Sequence, residues 1–263
     1  MLDLIDLSKT LSKEAYQERL PKLRLRLLQL QQASWQAGLA SVLVFEGWDG
    51  SGKGDSIRRV TERLEPRGYR LHFVTREPRT SERYLPWMWR FWLEIPNHGQ
   101  MTIFHRSWYR RVLLGRGEGR LGELGWHRAI RDILDFERAL TDDGYVLVKL
   151  FLHISEKERE ERYQKMEQDP AESWRIRKRS WKHHGRYERY HPLVEEMLAR
   201  TETAAGPWKI VEATDPRWAR ITVFETIIQR LEDALKARDL LPPELANGED
   251  EDEDEDDNGD EDS

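Results

Sequence analysis

The sequence predicts an α/β fold in which a mostly parallel sheet is covered by helices on both faces. Two observations predict it. Short apolar runs at 41–46, 70–75, 101–105, 145–152 and 208–212 alternate with stretches of helical periodicity. One of them, Val42-Leu43-Val44-Phe45-Glu46, enters a Gly-rich turn that carries a lysine, and a helical pattern follows from Asp55. Strands separated by helices need crossover connections, which align the strands and lay the helices on the sheet faces.

The elements follow in order. Residues 15–37 read as a helix with Leu20, Leu23, Leu27 and Leu30 on one face. Pro21 is expected in its first turn, where a missing N–H is tolerated, and Gly38 is expected to stop it. Further helices are expected at 54–65, 82–94, 123–140, 155–168, 186–201 and 216–237, and Leu241-Pro242-Pro243 closes the folded part. The expectation is one domain over residues 1–240, with a lid near 168–191, and a disordered acidic tail over 241–263.

Composition narrows the function classes. The chain has 263 residues and no cysteine, which excludes disulfides and thiolate metal sites. No apolar run approaches a membrane span, and MLDLIDLSKT lacks the basic start and apolar core of a secretion signal, so a cytoplasmic protein without a membrane partner is expected. The net charge of −6 is uneven: residues 249–263 hold twelve acidic residues and no basic one, so residues 1–248 carry +6. A basic body attracts polyanions. The tail reads first as a solubilising segment, and second as a competitor for the basic groove or a partner-binding arm.

The Gly-rich turn, Gly47-Trp48-Asp49-Gly50-Ser51-Gly52-Lys53-Gly54, has the layout of a phosphate-binding loop. Glycines let backbone N–H groups converge on phosphate oxygens, the lysine adds a charge, and the helix N-terminus adds its dipole. Gly47, Gly50, Ser51, Gly52, Lys53 and Gly54 are the candidate phosphate binders. Gly54 stands where this kind of loop places a metal-binding hydroxyl, so Asp49 becomes the candidate ligand for Mg²⁺, with Mn²⁺ as the alternative.

A second cluster ends the run 101–105. His105 and Arg106 should share the crevice with Lys53, because sites in open α/β sheets lie beyond the carboxyl ends of strands. Arg106, Arg111 and Arg116 can fork onto phosphate oxygens, whereas Arg110 reads as a solvated charge. Residues 168–191 crowd Arg175, Lys178, Arg179 and Lys182 beside Trp174, Trp181, Tyr187 and Tyr190. A surface helix pair anchored by aromatics, a mobile lid over a phosphate-rich substrate and a single-strand nucleic-acid patch all fit that composition. The phosphate loop favours the lid.

At these residues the chain resembles the polyphosphate kinase 2 family. Gly47–Asp55 are close to the family's GWDAAGKGG, and Phe104–Gly119, FHRSWYRRVLLGRGEG, to its FDRSWYGRVLVERVEG. Arg67-Gly68-Tyr69-Arg70, Trp89-Arg90-Phe91-Trp92, Trp174-Arg175-Ile176, Trp181, Ala205-Gly206-Pro207-Trp208 and Ala219-Arg220 add to the likeness, which spans about residues 13–235. The resemblance implies a P-loop kinase fold with a helical lid and Mg²⁺-dependent transfer between inorganic polyphosphate and a nucleoside mono- or diphosphate, AMP or ADP, with AMP, ADP and ATP as the nucleotide partners. It points most to AMP-phosphorylating members and to a homo-oligomer. It assigns metal holding to Asp49, phosphate binding to Lys53, the crevice lining to Arg106, Arg111 and Arg116, and the clamp to Arg175 and its neighbours. His105, Gly115 and Ser180 depart from the family pattern, each where a carboxylate is expected. A relative that binds polyphosphate or nucleotide without turnover is therefore the alternative reading, with a nucleic-acid binder masked by its own tail ranked last.

Overall fold

The computed structural model describes residues 1–74, 84–170 and 187–243. Five strands form one parallel sheet: β1 (Ser41–Gly47), β2 (Tyr69–Phe73), β3 (Met101–His105), β4 (Val146–His153) and β5 (Trp208–Glu212), in the order β2-β3-β1-β4-β5. The helices are α1 (Lys13–Gln36), α2 (Lys53–Thr61), α3 (Trp89–Trp92), α4 (Tyr109–Gly117), α5 (Glu123–Asp142), α6 (Glu156–Gln168), α7 (Tyr187–Arg200) and α8 (Pro216–Lys236). Consecutive residues of β1 and β4 are buried, so both faces of the central sheet are covered. Helix α8 packs on β4 and β5 and against α1, while α5 packs on β4 and, with α7, against α4.

Local chemistry accounts for the element boundaries. Ser12 caps α1, its Oγ accepting from Ala15 N–H at 3.1 Å. Gly38, at φ +63°, ends it, and Leu39 N–H closes back on Ser34 O at 2.8 Å. Asp215 caps α8, with its Oδ1 accepting from Arg217 N–H at 2.6 Å and Trp218 N–H at 3.0 Å. The predicted face of α1 holds: Leu20, Leu27 and Leu30 are buried and Leu23 is partly so.

Three expectations are corrected. Pro21 lies inside α1 rather than in its first turn; the helix runs through it with one backbone donor missing. Of the helix expected at 82–94, the structure describes only the short α3, because the chain reaches it through a turn at Pro86, whose carbonyl accepts from Trp89 N–H at 2.9 Å. Helix α4 was not expected; its two glycines, Gly115 and Gly117, weaken the helical signal, and the packing of Leu121 and Tyr190 is what requires them. The lid cations Arg175, Lys178, Arg179 and Lys182, together with Ser180 and the tail from residue 244, lie outside the described residues.

One polar network crosses the core. Lys149, in the middle of β4, donates to Glu137 Oε2 on α5 at 2.9 Å and to Thr201 O at 2.6 Å. Glu137 Oε1 also accepts from Trp108 Nε1 at 2.9 Å and from the Tyr109 hydroxyl. Burial pushes Glu137 up and Lys149 down in pKa, and each opposes the other's shift. A buried charge without its partner is costly. Lys149→Met or Glu137→Leu alone should therefore lower unfolding stability by about 3–5 kcal/mol in urea titrations, and the double variant should lose less than the sum. Additive losses would show that the pair is uncoupled.

Candidate active site

The connection from β1 runs to β2 on one side and the connection from β3 runs past β1 to β4 on the other, so a crevice opens between the carboxyl ends of β1 and β3. The Gly-rich loop follows β1 into that crevice. Gly47, at φ +135°, passes so close to β4 that a Cβ would meet Leu152 O at 2.3 Å. Gly50 and Gly52 also take positive φ, and Gly52 caps α2, whose first residue is Lys53. The Lys53 ammonium is buried and donates to Gly47 O at 2.8 Å, Trp48 O at 2.6 Å and Ser51 Oγ at 3.4 Å. Burial, then the neighbouring Arg106, lowers its pKa to about 7, against the pull of Asp49 and Glu46.

The loop meets the end of β3 through charge. Arg106 Nη2 pairs with Asp49 Oδ1. Burial works to raise the Asp49 pKa, but Arg106 and Lys53 overcome it and hold the carboxyl well below the usual range, with Arg110 adding to the effect. Arg106 sits at φ +64°, a left-handed conformation unusual for a side-chain-bearing residue. Its N–H donates to Phe45 O at 3.0 Å. The next residue, Ser107, donates from both N–H and Oγ to Glu46 Oε1, each at 2.8 Å. His105 is driven down to about 3, first by burial and then by Lys53 and Arg106, so its ring is neutral at physiological pH.

The loop is braced from α6 and α7. Arg162 Nη1 donates to Gly50 O at 3.0 Å, and its Nη2 reaches Ala213 O and Thr214 O at 2.7 and 2.8 Å, tying the loop to the segment after β5. The Tyr163 ring packs beside Gly50. Trp48 donates from Nε1 to His153 Nδ1 at 2.8 Å and packs on Tyr187, with ring centroids 4.5 Å apart.

The family model for Polyphosphate kinase 2 (PPK2) matches residues 10–239. The chain belongs to the polyphosphate kinase 2 family. It is 44% identical over 239 residues to the polyphosphate:AMP phosphotransferase of Pseudomonas syringae pv. tomato, covering 91% of this chain and 48% of that protein. The polyphosphate:AMP phosphotransferase of Pseudomonas aeruginosa is 40% identical over 236 residues, 90% of this chain and 47% of that one. The crystal structure of polyphosphate kinase 2 from Arthrobacter aurescens TC1 superposes with a TM-score of 0.86 at 25% identity, covering 94% of this chain and 88% of that chain. The chain spans about half the length of the two Pseudomonas relatives.

Within this family fold, the residues singled out from sequence separate into two groups. Asp49, Lys53, Arg106 and the loop glycines converge on the crevice. Arg111 instead lies over the Trp87 ring at 4.9 Å, beside Asp132, and Arg116 pairs with Glu196 at 2.6 Å and lies over Trp126 at 4.5 Å. Arg110, read from sequence as a solvated charge, is half-buried and acts on both Asp49 and Lys53. At position 115 a Cβ would lie 2.5 Å from Leu121 Cδ1, so a larger residue there would require the Leu121 side chain to move aside. Sequence reasoning missed Glu46, whose signal was an acidic residue ending an apolar strand, and Arg162, which carried no distinguishing signal.

Two measurements test this geometry. Gly47→Ala should abolish phosphate binding or folding outright, because the obstacle is backbone of β4; a well-folded variant with native affinity for tripolyphosphate would contradict it. An anion favours protonated Lys53, so binding should take up a proton near and above pH 7 and affinity should fall as pH rises through that range. Calorimetry in buffers of different ionisation enthalpy reads the uptake, which Lys53→Arg should remove.

Proposed function

We propose that this protein transfers a phosphoryl group between inorganic polyphosphate and a nucleotide, with AMP as the favoured acceptor. The observation that carries the reading is the Asp49 carboxylate held among Lys53, Arg106 and Arg110 where the phosphate loop starts α2. Phosphoryl transfer asks mainly for positioning and for charges around the moving group. An oxygen of the AMP phosphate attacks the terminal phosphorus of the chain. The bond to the bridging oxygen breaks, leaving the chain one phosphate shorter. Lys53, Arg106 and the loop N–H groups hold the phosphate oxygens. The names of the two Pseudomonas relatives support AMP as acceptor.

The residues fit a divalent cation. Asp49 is ionised and about one-third exposed, and its Oδ1 is engaged by Arg106, which leaves Oδ2. Mg²⁺ binds through one or two carboxylates together with substrate phosphates, so Asp49 would hold Mg²⁺, or Mn²⁺ in its place. The ion would neutralise charge developing on the phosphates.

The lid reading of residues 168–191, with Arg175, Lys178, Arg179 and Lys182 as its cations, gains support from the helices on either side: Tyr163 of α6 and Tyr187 of α7 both rest on the loop. No helix among the described residues is long and apolar enough to cross a membrane, and we place the protein in the cytoplasm. Self-association is supported by the exposed apolar residues Leu71 and Phe73 on the edge strand β2.

His105 and Gly115, each standing where the family pattern places a carboxylate, favour a second reading, a binder of polyphosphate or nucleotide without turnover. Incubation with polyphosphate, Mg²⁺ and AMP, followed by ³¹P NMR or chromatography, separates the two: ADP should accumulate. Lys53→Ala and Asp49→Asn should each lower kcat by about 100-fold or more. Saturable polyphosphate binding without ADP would replace the transferase reading with the binder.

A further inference from the structure

Glu46 is buried, at 3% exposure, at the end of an otherwise apolar strand. A carboxylate in that position needs strong partners, and it has them: Ser107 gives Oε1 both its N–H and its hydroxyl. These two bonds have a specific geometrical effect. Arg106 N–H is fixed to Phe45 O on β1, and the residue after it is fixed to the Glu46 side chain. Between those two anchors the backbone of Arg106 takes φ +64°. A left-handed arginine is unfavourable by itself and persists where its surroundings over-determine it. Its guanidinium then reaches Asp49, three residues beyond Glu46 on the same run of chain. One carboxylate holds the base of the arginine turn and the other receives its tip.

We infer that Glu46 is a positioning residue for phosphoryl transfer, setting through Ser107 the turn that delivers Arg106 to Asp49. The inference rests on the transferase reading for its kinetic consequence and on geometry alone for its structural one. Glu46 also favours the charged forms of Arg106 and Lys53, the two cations nearest Asp49.

The test compares Glu46→Ala with Glu46→Gln in the full chain. The glutamine oxygen can still accept both Ser107 bonds, so Glu46→Gln should keep kcat within about fivefold, whereas Glu46→Ala should lose about 100-fold in kcat with a much smaller change in KM for AMP. Ile227→Val, a distant change in the buried face of α8, controls for general loss of stability and should keep kcat. A crystal structure of Glu46→Ala supplies a readout independent of turnover: Arg106 should leave positive φ and release Asp49. Full kcat in Glu46→Ala, equal losses in both variants, or an unchanged Arg106–Asp49 pair in the alanine variant would overturn the inference. If the wild-type protein shows no turnover, the transferase reading fails, and the Arg106 conformation in the alanine variant still decides the role of Glu46.

Discussion

Parallel pairing of β1 with β3 sets Phe45 opposite His105, so the segments that follow the two strands leave the sheet side by side. Most of the site's chemistry is a consequence of that alignment. Asp49 comes from one segment and Arg106 from the other, although 57 positions separate them in the chain. Strand β1 is buried on both faces, and its one charged group comes near the strand's carboxyl end. Glu46 stands at that boundary, late enough in β1 to reach the turn after β3 and early enough to remain out of water. A one-residue slip in register would separate these groups and turn the strand's side chains to the opposite face.

The electrostatics of the crevice follow from placing Lys53, Arg106 and Arg110 around Asp49, with Glu46 acting on two of them, in a poorly hydrated place. Low local polarity strengthens both attraction and repulsion. The attraction keeps Asp49 ionised; the repulsion, added to burial, brings Lys53 close to neutrality and leaves His105 uncharged. Lys53 meanwhile donates to loop carbonyls. A polyanion entering the crevice relieves the repulsion and offers the ammonium better acceptors. In this arrangement the cost of gathering like charges falls on the ligand-free protein.

The parallel α/β architecture could be read from the alternation of strands and helices, and the phosphate loop from its glycines, because both are local patterns. The strands at 101–105 and 208–212 were placed to the residue, and α1 began two residues earlier than expected. What could not be read depends on distant packing. Gly115 and Gly117 look like helix breakers until Leu121 and Tyr190 are seen lying against them. Arg110 and Arg116 follow the same motif at similar depth, yet one acts on Asp49 and the other pairs with Glu196 on α7. Only the helix they share, and what packs on each side of it, separates them. Glu137 and Lys149 were invisible for a related reason: one charge among the polar residues of α5 and one in an apolar strand acquire meaning only as a pair.

That pair completes the support of the arginine turn. Glu46 holds Ser107, and Glu137 accepts from Trp108 and Tyr109, so two buried carboxylates fix three successive residues after Arg106. Lys149 joins Glu137 to Thr201 at the end of α7, and α7 begins with Tyr187 against Trp48 of the phosphate loop. The same helix is therefore anchored to the arginine turn at one end and to the loop at the other.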